Sequence, residues 1–86
     1  MPEISRFFGI VIQMYFRDHV PPHFHAVYGS MEAKIQIAPL GLMHGDLPPR
    51  VLAFVVEWGR MHQEELLENW RRLQASEAPR RIAPLE

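Results

Sequence analysis

Three of the chain's five histidines fall between positions 19 and 25, in the stretch DHVPPHFHAVYG that begins at Asp18. His23 and His25 form a His-x-His pair. On a β-strand such a pair puts both imidazoles on one face, with Cα atoms about 6.5–7 Å apart. It can supply two ligands of a tetrahedral zinc or of a non-haem metal centre. Asp18 and His19, in the preceding loop, are the residues that would complete such a site. The same neighbourhood suits a second chemistry, metal-independent cleavage of a phosphodiester. One imidazole would take the proton of a 2′-hydroxyl and the other would protonate the leaving oxygen. Lys34 would stabilise the charge developing on phosphorus, with Tyr15 beside them and Arg17 holding a phosphate. Histidine's ordinary pKa allows both roles near neutral pH. A third reading needs no reaction. Pro21 and Pro22 fix an extended approach to a strand, and the histidines are surface groups of a half-open sheet that binds a protein or a nucleic acid.

The elements that must carry these residues are legible from periodicity. Residues 6–16, RFFGIVIQMYF, alternate and are rich in β-branched and aromatic types, which predicts one strand. Its even positions Phe8, Ile10, Ile12, Met14 and Phe16 form an apolar face. Residues 23–29 and 31–37 predict a hairpin about Gly29-Ser30, a two-residue turn of primed geometry. That turn pairs Tyr28 with Met31, Ala26 with Ala33 and Phe24 with Ile35, all apolar. The opposite face pairs Val27 with Glu32, His25 with Lys34 and His23 with Gln36, so His23 and His25 point away from the main core. Lys34 opposite His25 would repel a bound cation.

Leu42 to His44 read as a short further strand, with Asp46 as a helix cap and Pro48-Pro49 suited to a first helical turn. From about Pro49 to Ala75 the pattern predicts one long helix with Leu52, Val55, Gly59, His62, Leu66, Trp70 and Leu73 in a single stripe. His62 on that stripe is expected to pack with its ring nitrogens on a backbone carbonyl or on Tyr28, not to ligate with His23 and His25. Gly59 would mark a kink or a close approach. Phe54, Trp58 and Met61 widen the apolar arc, which points to a subunit or partner interface. Pro79 stops the helix, and Ile82 and Leu85 are expected to dock back on the core.

Composition narrows the function classes. The 86-residue length predicts a single domain over 1–86. With no cysteine there is no disulfide framework, thiolate zinc site or thiol nucleophile. A net charge of -1 argues against a strongly electrostatic nucleic-acid binder, although a local basic patch remains compatible with one. The apolar run from Phe7 to Phe16 is too short to span a bilayer and lacks signal-peptide features. The expectation is therefore a cytoplasmic protein without membrane contact.

The segments FFGIVIQMYFRDHVPPHFHAVYG, MEAKIQI, GDLPPRVLAFVVEWGRMHQEELLENW and RRIAPL resemble the small bacterial proteins grouped as the 4160 family of domains of unknown function. The resemblance covers almost the whole chain, with DHxPPHFHA and a downstream WxxxHxxELLxNW as its specific parts. It implies one half of a toxin–antitoxin-like or regulatory gene pair, and it singles out Asp18, His19, Pro21, Pro22, His23, His25 and His62. It assigns none of them a catalytic role.

Together these features predict an α+β domain, an antiparallel sheet of three to four strands with one long C-terminal helix packed on one face. The leading functional expectation is a non-enzymatic interaction module with no cofactor and no bound metal. It would bind a cognate small protein or a second copy of itself, with nucleic acid as a further partner class. The alternatives are a ribonuclease using His23, His25, Lys34 and Tyr15, and a metal protein using His23, His25, Asp18 and His19.

Overall fold

The computed structural model describes residues 2–86. The architecture is α+β, as expected, but the sheet has five strands and the helical region has two helices. The strands are β1 (Glu3–Phe7), β2 (Ile10–Gln13), β3 (His23–Tyr28), β4 (Met31–Gln36) and β5 (Gly41–Gly45). They form an antiparallel meander in sequence order. Helices α1 (Pro49–Met61) and α2 (Gln63–Gln74) follow.

The expected single strand over 6–16 is instead a hairpin. Phe7 pairs with Ile10, and Phe8 and Gly9 make a two-residue turn with φ of 53° and 78°. Two positive φ values identify a type I′ turn, whose twist matches the flanking strands. Ile10, Ile12 and Met14 keep the predicted inward face, while Phe8 in the turn and Phe16 beyond β2 are exposed. The β3–β4 hairpin has the predicted register at all six pairs, from Tyr28↔Met31 to His23↔Gln36. The short strand expected at Leu42 to His44 is present as β5, one residue longer at each end.

The apolar face of the sheet is built in rows. Ile12, Ala26 and Ala33 align across three strands, and Phe24 aligns with Ile35. Val55, Trp58, Leu66 and Leu73 from the helices complete the core with them. Trp58 is fully buried, against Phe24 and Phe7, and its indole N–H donates to the Ala83 carbonyl at 2.8 Å. That corrects the expected interface of Phe54, Trp58 and Met61. Trp58 is core, Phe54 is half-buried beside Phe8, and only Met61 is exposed.

The helix breaks at His62, with φ -120° and ψ 27°, and not at Gly59. Gly59 is buried, and a Cβ there would lie 3.1 Å from Leu40 Cδ1, so this glycine permits a close approach. Asp46 does not cap α1. The N-cap is Pro48 with no side-chain cap bond, and Pro49 opens the helix.

The C-terminal tail docks as expected, with Ile82 and Leu85 buried. The Ile82 N–H donates to the Ile4 carbonyl at 2.8 Å. Buried Asn69 donates to the Arg80 carbonyl at 2.9 Å and accepts from the Arg80 N–H at 2.8 Å. Among the described residues, no helix is long and apolar enough to cross a membrane.

Candidate metal centre

His23 opens β3 and His25 follows two residues later, so strand alternation turns both side chains to the face opposite Phe24 and Ala26. That placement matches the register argument. The expectation of an open, solvated face does not hold, because His23 and His25 are only 4% and 5% exposed. Parity decides which face a side chain takes but not what covers that face. Here the segment between β2 and β3 folds back over it. The Tyr15 ring stands edge-on to His25, with centroids 4.3 Å apart, and Trp70 of α2 lies 5.5 Å from His23.

Asp18 is the third member of the cluster. One donor atom from each of Asp18, His23 and His25 can be chosen so that all three lie within 4.8 Å of one another. Asp18 Oδ2 is 3.0 Å from His23 Nε2 and 3.3 Å from His25 Nε2. The backbone N–H of His19 donates to Asp18 Oδ1 at 2.8 Å and fixes the carboxylate. Burial pushes the Asp18 carboxyl up. The His19 N–H, the bond from His25 and the charges of His23 and His25 outweigh it, so its pKa falls below the ordinary value. Burial, with Glu32 and Asp18 adding to it, raises the Tyr15 phenol above its ordinary pKa.

The far side of each ring determines its tautomer. His23 Nδ1 lies 2.9 Å from the Pro21 carbonyl oxygen, and His25 Nδ1 lies 2.9 Å from Glu32 Oε2. A carbonyl and a carboxylate only accept, so both Nδ1 atoms carry hydrogen and donate. With Nδ1 protonated, a positively charged ring donates from Nε2, and His25 Nε2 lies within hydrogen-bonding distance of Asp18 Oδ2 at 3.3 Å, whereas a neutral ring presents an Nε2 lone pair there. Two lone pairs and an anionic oxygen repel unless a cation or added protons lie among them. His23 Nε2 shows the deficit directly. It is buried and, despite its 3.0 Å approach to Asp18, makes no hydrogen bond. The contact is close but misaligned, so it counts as proximity and not as a bond.

A metal centre would share these features. Zinc bound at about 2.05 Å to imidazole nitrogen and carboxylate oxygen sets tetrahedral ligand separations of about 3.3 Å. The two nitrogen–oxygen separations, 3.0 and 3.3 Å, match that spacing. Ligating histidines characteristically donate their other N–H to a carboxylate or a backbone carbonyl, and both kinds occur here. Two histidines and one carboxylate also form the facial set used by non-haem iron.

The remaining predicted residues lie outside the cluster. The His19 ring is exposed, and this residue contributes only its backbone N–H. Lys34 pairs with His25 in register, but among the described residues it has no hydrogen bond or ion pair to the cluster. Arg17 turns to α2, where its Nε–H donates to Ser76 Oγ at 3.0 Å. The Tyr15 hydroxyl donates to Gln13 Oε1. His62 packs against Trp58 and pairs through Nδ1 with Glu65, not with a backbone carbonyl or Tyr28.

Sequence reasoning missed Glu32 and Trp70 as parts of the site. Glu32 sits two residues from Lys34, the direct partner of His25, and such diagonal neighbours are within reach of long side chains. The register therefore already held that signal. Trp70 falls on the buried stripe of the helical pattern, and nothing local to it shows that it reaches His23.

No curated protein and no solved structure matches the chain. A family model matches residues 9–71, a span that contains Asp18, His23, His25, Glu32 and His62. The chain thus belongs to the family described as Domain of unknown function (DUF4160).

Proposed function

We propose that this domain is a small regulatory interaction module, acting in the cytoplasm, built around a mononuclear divalent-metal centre. His23 Nε2, His25 Nε2 and an Asp18 carboxylate oxygen are the protein ligands. Zinc is the ion whose ligand preference and bond lengths suit them best, and water fills the fourth position. The observation that carries this reading is the buried Nε2 of His23, which has no hydrogen-bond partner and lies 3.0 Å from a carboxylate that is also shared with His25. The shell behind the ligands supports it, because each ring is oriented by an acceptor at Nδ1.

The ribonuclease reading has less support. Acid and base must reach opposite sides of a bound phosphate. Here the two nitrogens turn to one carboxylate, and both rings are almost wholly buried. Failure of the purified protein to cleave RNA, or equal cleavage by a His25→Ala variant, would remove it.

Pairing with a cognate small protein, as in toxin–antitoxin-like modules, rests on the family resemblance. An exposed aromatic patch supports a protein-binding role. Phe8 is 54% exposed, its ring 5.1 Å from that of Phe54, with the Arg50 guanidinium over Phe54. A pull-down with Phe8→Ser as the control variant tests that part, and equal partner recovery by the two proteins would count against the patch.

Elemental analysis of untagged protein, combined with thermal melting, tests the metal reading. One equivalent of zinc or a related transition metal is expected. At about 100 times the Kd, added zinc stabilises the native state by about 2.7 kcal/mol, which raises Tm by about 10–20 °C in a domain of this size. Absence of metal together with an unchanged Tm would sink the reading.

A further inference from the structure

We infer that an ion at this centre works as a latch, joining the β2–β3 segment to the C-terminal turn of α2, so that metal occupancy sets the conformation of both. The inference rests on the metal reading above and extends it to the regulation of the site.

Two of the three ligands, His23 and His25, belong to β3 in the middle of the sheet. The third, Asp18, belongs to the irregular segment between β2 and β3. An ion therefore bridges a rigid element and a non-repetitive one. Its binding energy is available to order the segment that carries Asp18.

The same segment is tied to the end of α2 at three points. The Arg17 N–H donates at 3.3 Å to the Leu73 carbonyl, which also accepts from the Ser76 N–H at 3.2 Å. Arg17 Nε–H donates to Ser76 Oγ at 3.0 Å, and Gln74 Nε2–H donates to the Asp18 carbonyl at 3.0 Å. Asp18 thus offers its carboxylate to the centre and its backbone carbonyl to α2. Arg17 holds a φ of 53° and Ser76 a φ of 62°, both in the left-handed region that costs non-glycine residues energy. Both ends of the Arg17–Ser76 bond therefore need external support to keep their conformation. Removing the ion removes the bonds that join the Asp18 carboxylate to both rings of β3. Asp18 is then the ligand free to move, because His23 and His25 are fixed in the sheet and held at Nδ1. Moving Asp18 breaks the Gln74 bond and displaces Arg17, which frees the last turn of α2.

Hydrogen exchange on the full chain tests this, comparing chelator-treated protein with protein holding Zn2+ at about 100 times its Kd. Linkage predicts that exchange through an opening that releases the ion slows about 100-fold. The expected result is slowing of this order for amides of residues 15–20 and also for residues 73–77. Amides of β5, at an edge of the sheet two strands from the site, are expected to exchange at the same rate in both samples. In an Arg17→Ala/Gln74→Ala double variant, which keeps only the backbone tie from Arg17 to Leu73, residues 15–20 are expected to slow as in the wild type while residues 73–77 slow much less. Zn2+ binding, shown by calorimetry on the same samples, without slowing at 73–77 overturns the latch alone. Equal slowing at 73–77 in the double variant overturns it too. Absence of Zn2+ binding overturns both the latch and the metal reading.

Discussion

Asp18 Oδ2 lies 3.0 Å from His23 Nε2 without a hydrogen bond between them. In a buried place such an arrangement costs energy, because a polar atom removed from water and left unpaired is penalised by about 1–3 kcal/mol. The geometry makes sense when a cation completes it. Without one, the carboxylate and the ring nitrogens compete for protons.

That relationship gives Asp18→Asn two effects of opposite consequence. At pH 8 in the absence of metal, the amide can donate to a ring nitrogen, so the variant should unfold at the same urea concentration as the wild type or a higher one. With zinc present it should lose most of the metal-induced rise in Tm, because a neutral amide is a poor ligand. Equal zinc stabilisation of variant and wild type would remove Asp18 from the centre.

Glu32 lies outside the proposed ligand set, and its carboxylate accepts from His25 Nδ1 at 2.9 Å, which would make that ring a better donor. Glu32→Gln should weaken zinc binding by about 10–100-fold with stoichiometry unchanged. Glu32 is exposed, so the metal-free fold should be little affected. Calorimetric titration checks both parts, and an unchanged affinity would make Glu32 a surface group only.

How far the site was legible depended on which physical rule had to act. The register of β3 and β4 followed from parity, because a slip of one residue would have put His25 in place of Phe24 or Ala26. Docking of Ile82 and Leu85 followed from isolated apolar residues beyond the helical pattern, although α2 ends at Gln74 with Ser76 left-handed and not at Pro79 as expected. The β1–β2 turn was hidden because Phe8 occupies a positive-φ position usually marked by Asn or Gly, inside an unbroken apolar alternation. Burial of His23 and His25 was hidden for a different reason. It depends on tertiary folding of residues 14–22 and on Trp70, some fifty positions away, and no local pattern encodes that. The break at His62 also left the helical stripe intact, so periodicity passed through it.

The hidden turn makes its own prediction. Phe8→Asn creates Asn-Gly, the favoured pair for a type I′ turn. Relief of a left-handed phenylalanine gives about 1 kcal/mol or more, against loss of a partly exposed contact with Phe54 at the lower end of about 0.5–1.5 kcal/mol. A small net gain of about 0.5 kcal/mol in urea unfolding is expected, and clear destabilisation would show that the aromatic contact outweighs the backbone relief.

Asn69 is the clamp for the tail. Asn69→Ala removes two hydrogen bonds to Arg80 at a position 1% exposed and leaves backbone groups unpaired. A loss of about 2–3 kcal/mol is expected, measured by urea unfolding, together with release of the tail seen as faster proteolysis after Arg80 or Arg81. Retention of wild-type stability would place the tail's anchoring elsewhere, at Ile82 and Ala83.

The central claim is that His23, His25 and Asp18 hold one divalent ion. Its most direct test is calorimetric titration of untagged, chelator-treated protein with Zn2+, for the wild type beside His23→Ala and His25→Ala. One equivalent is expected to bind the wild type, with affinity in each variant reduced by more than the roughly 10–100-fold that loss of an outer-shell partner costs. Equal titration curves for the three proteins, or no heat of binding with the wild type, would contradict it.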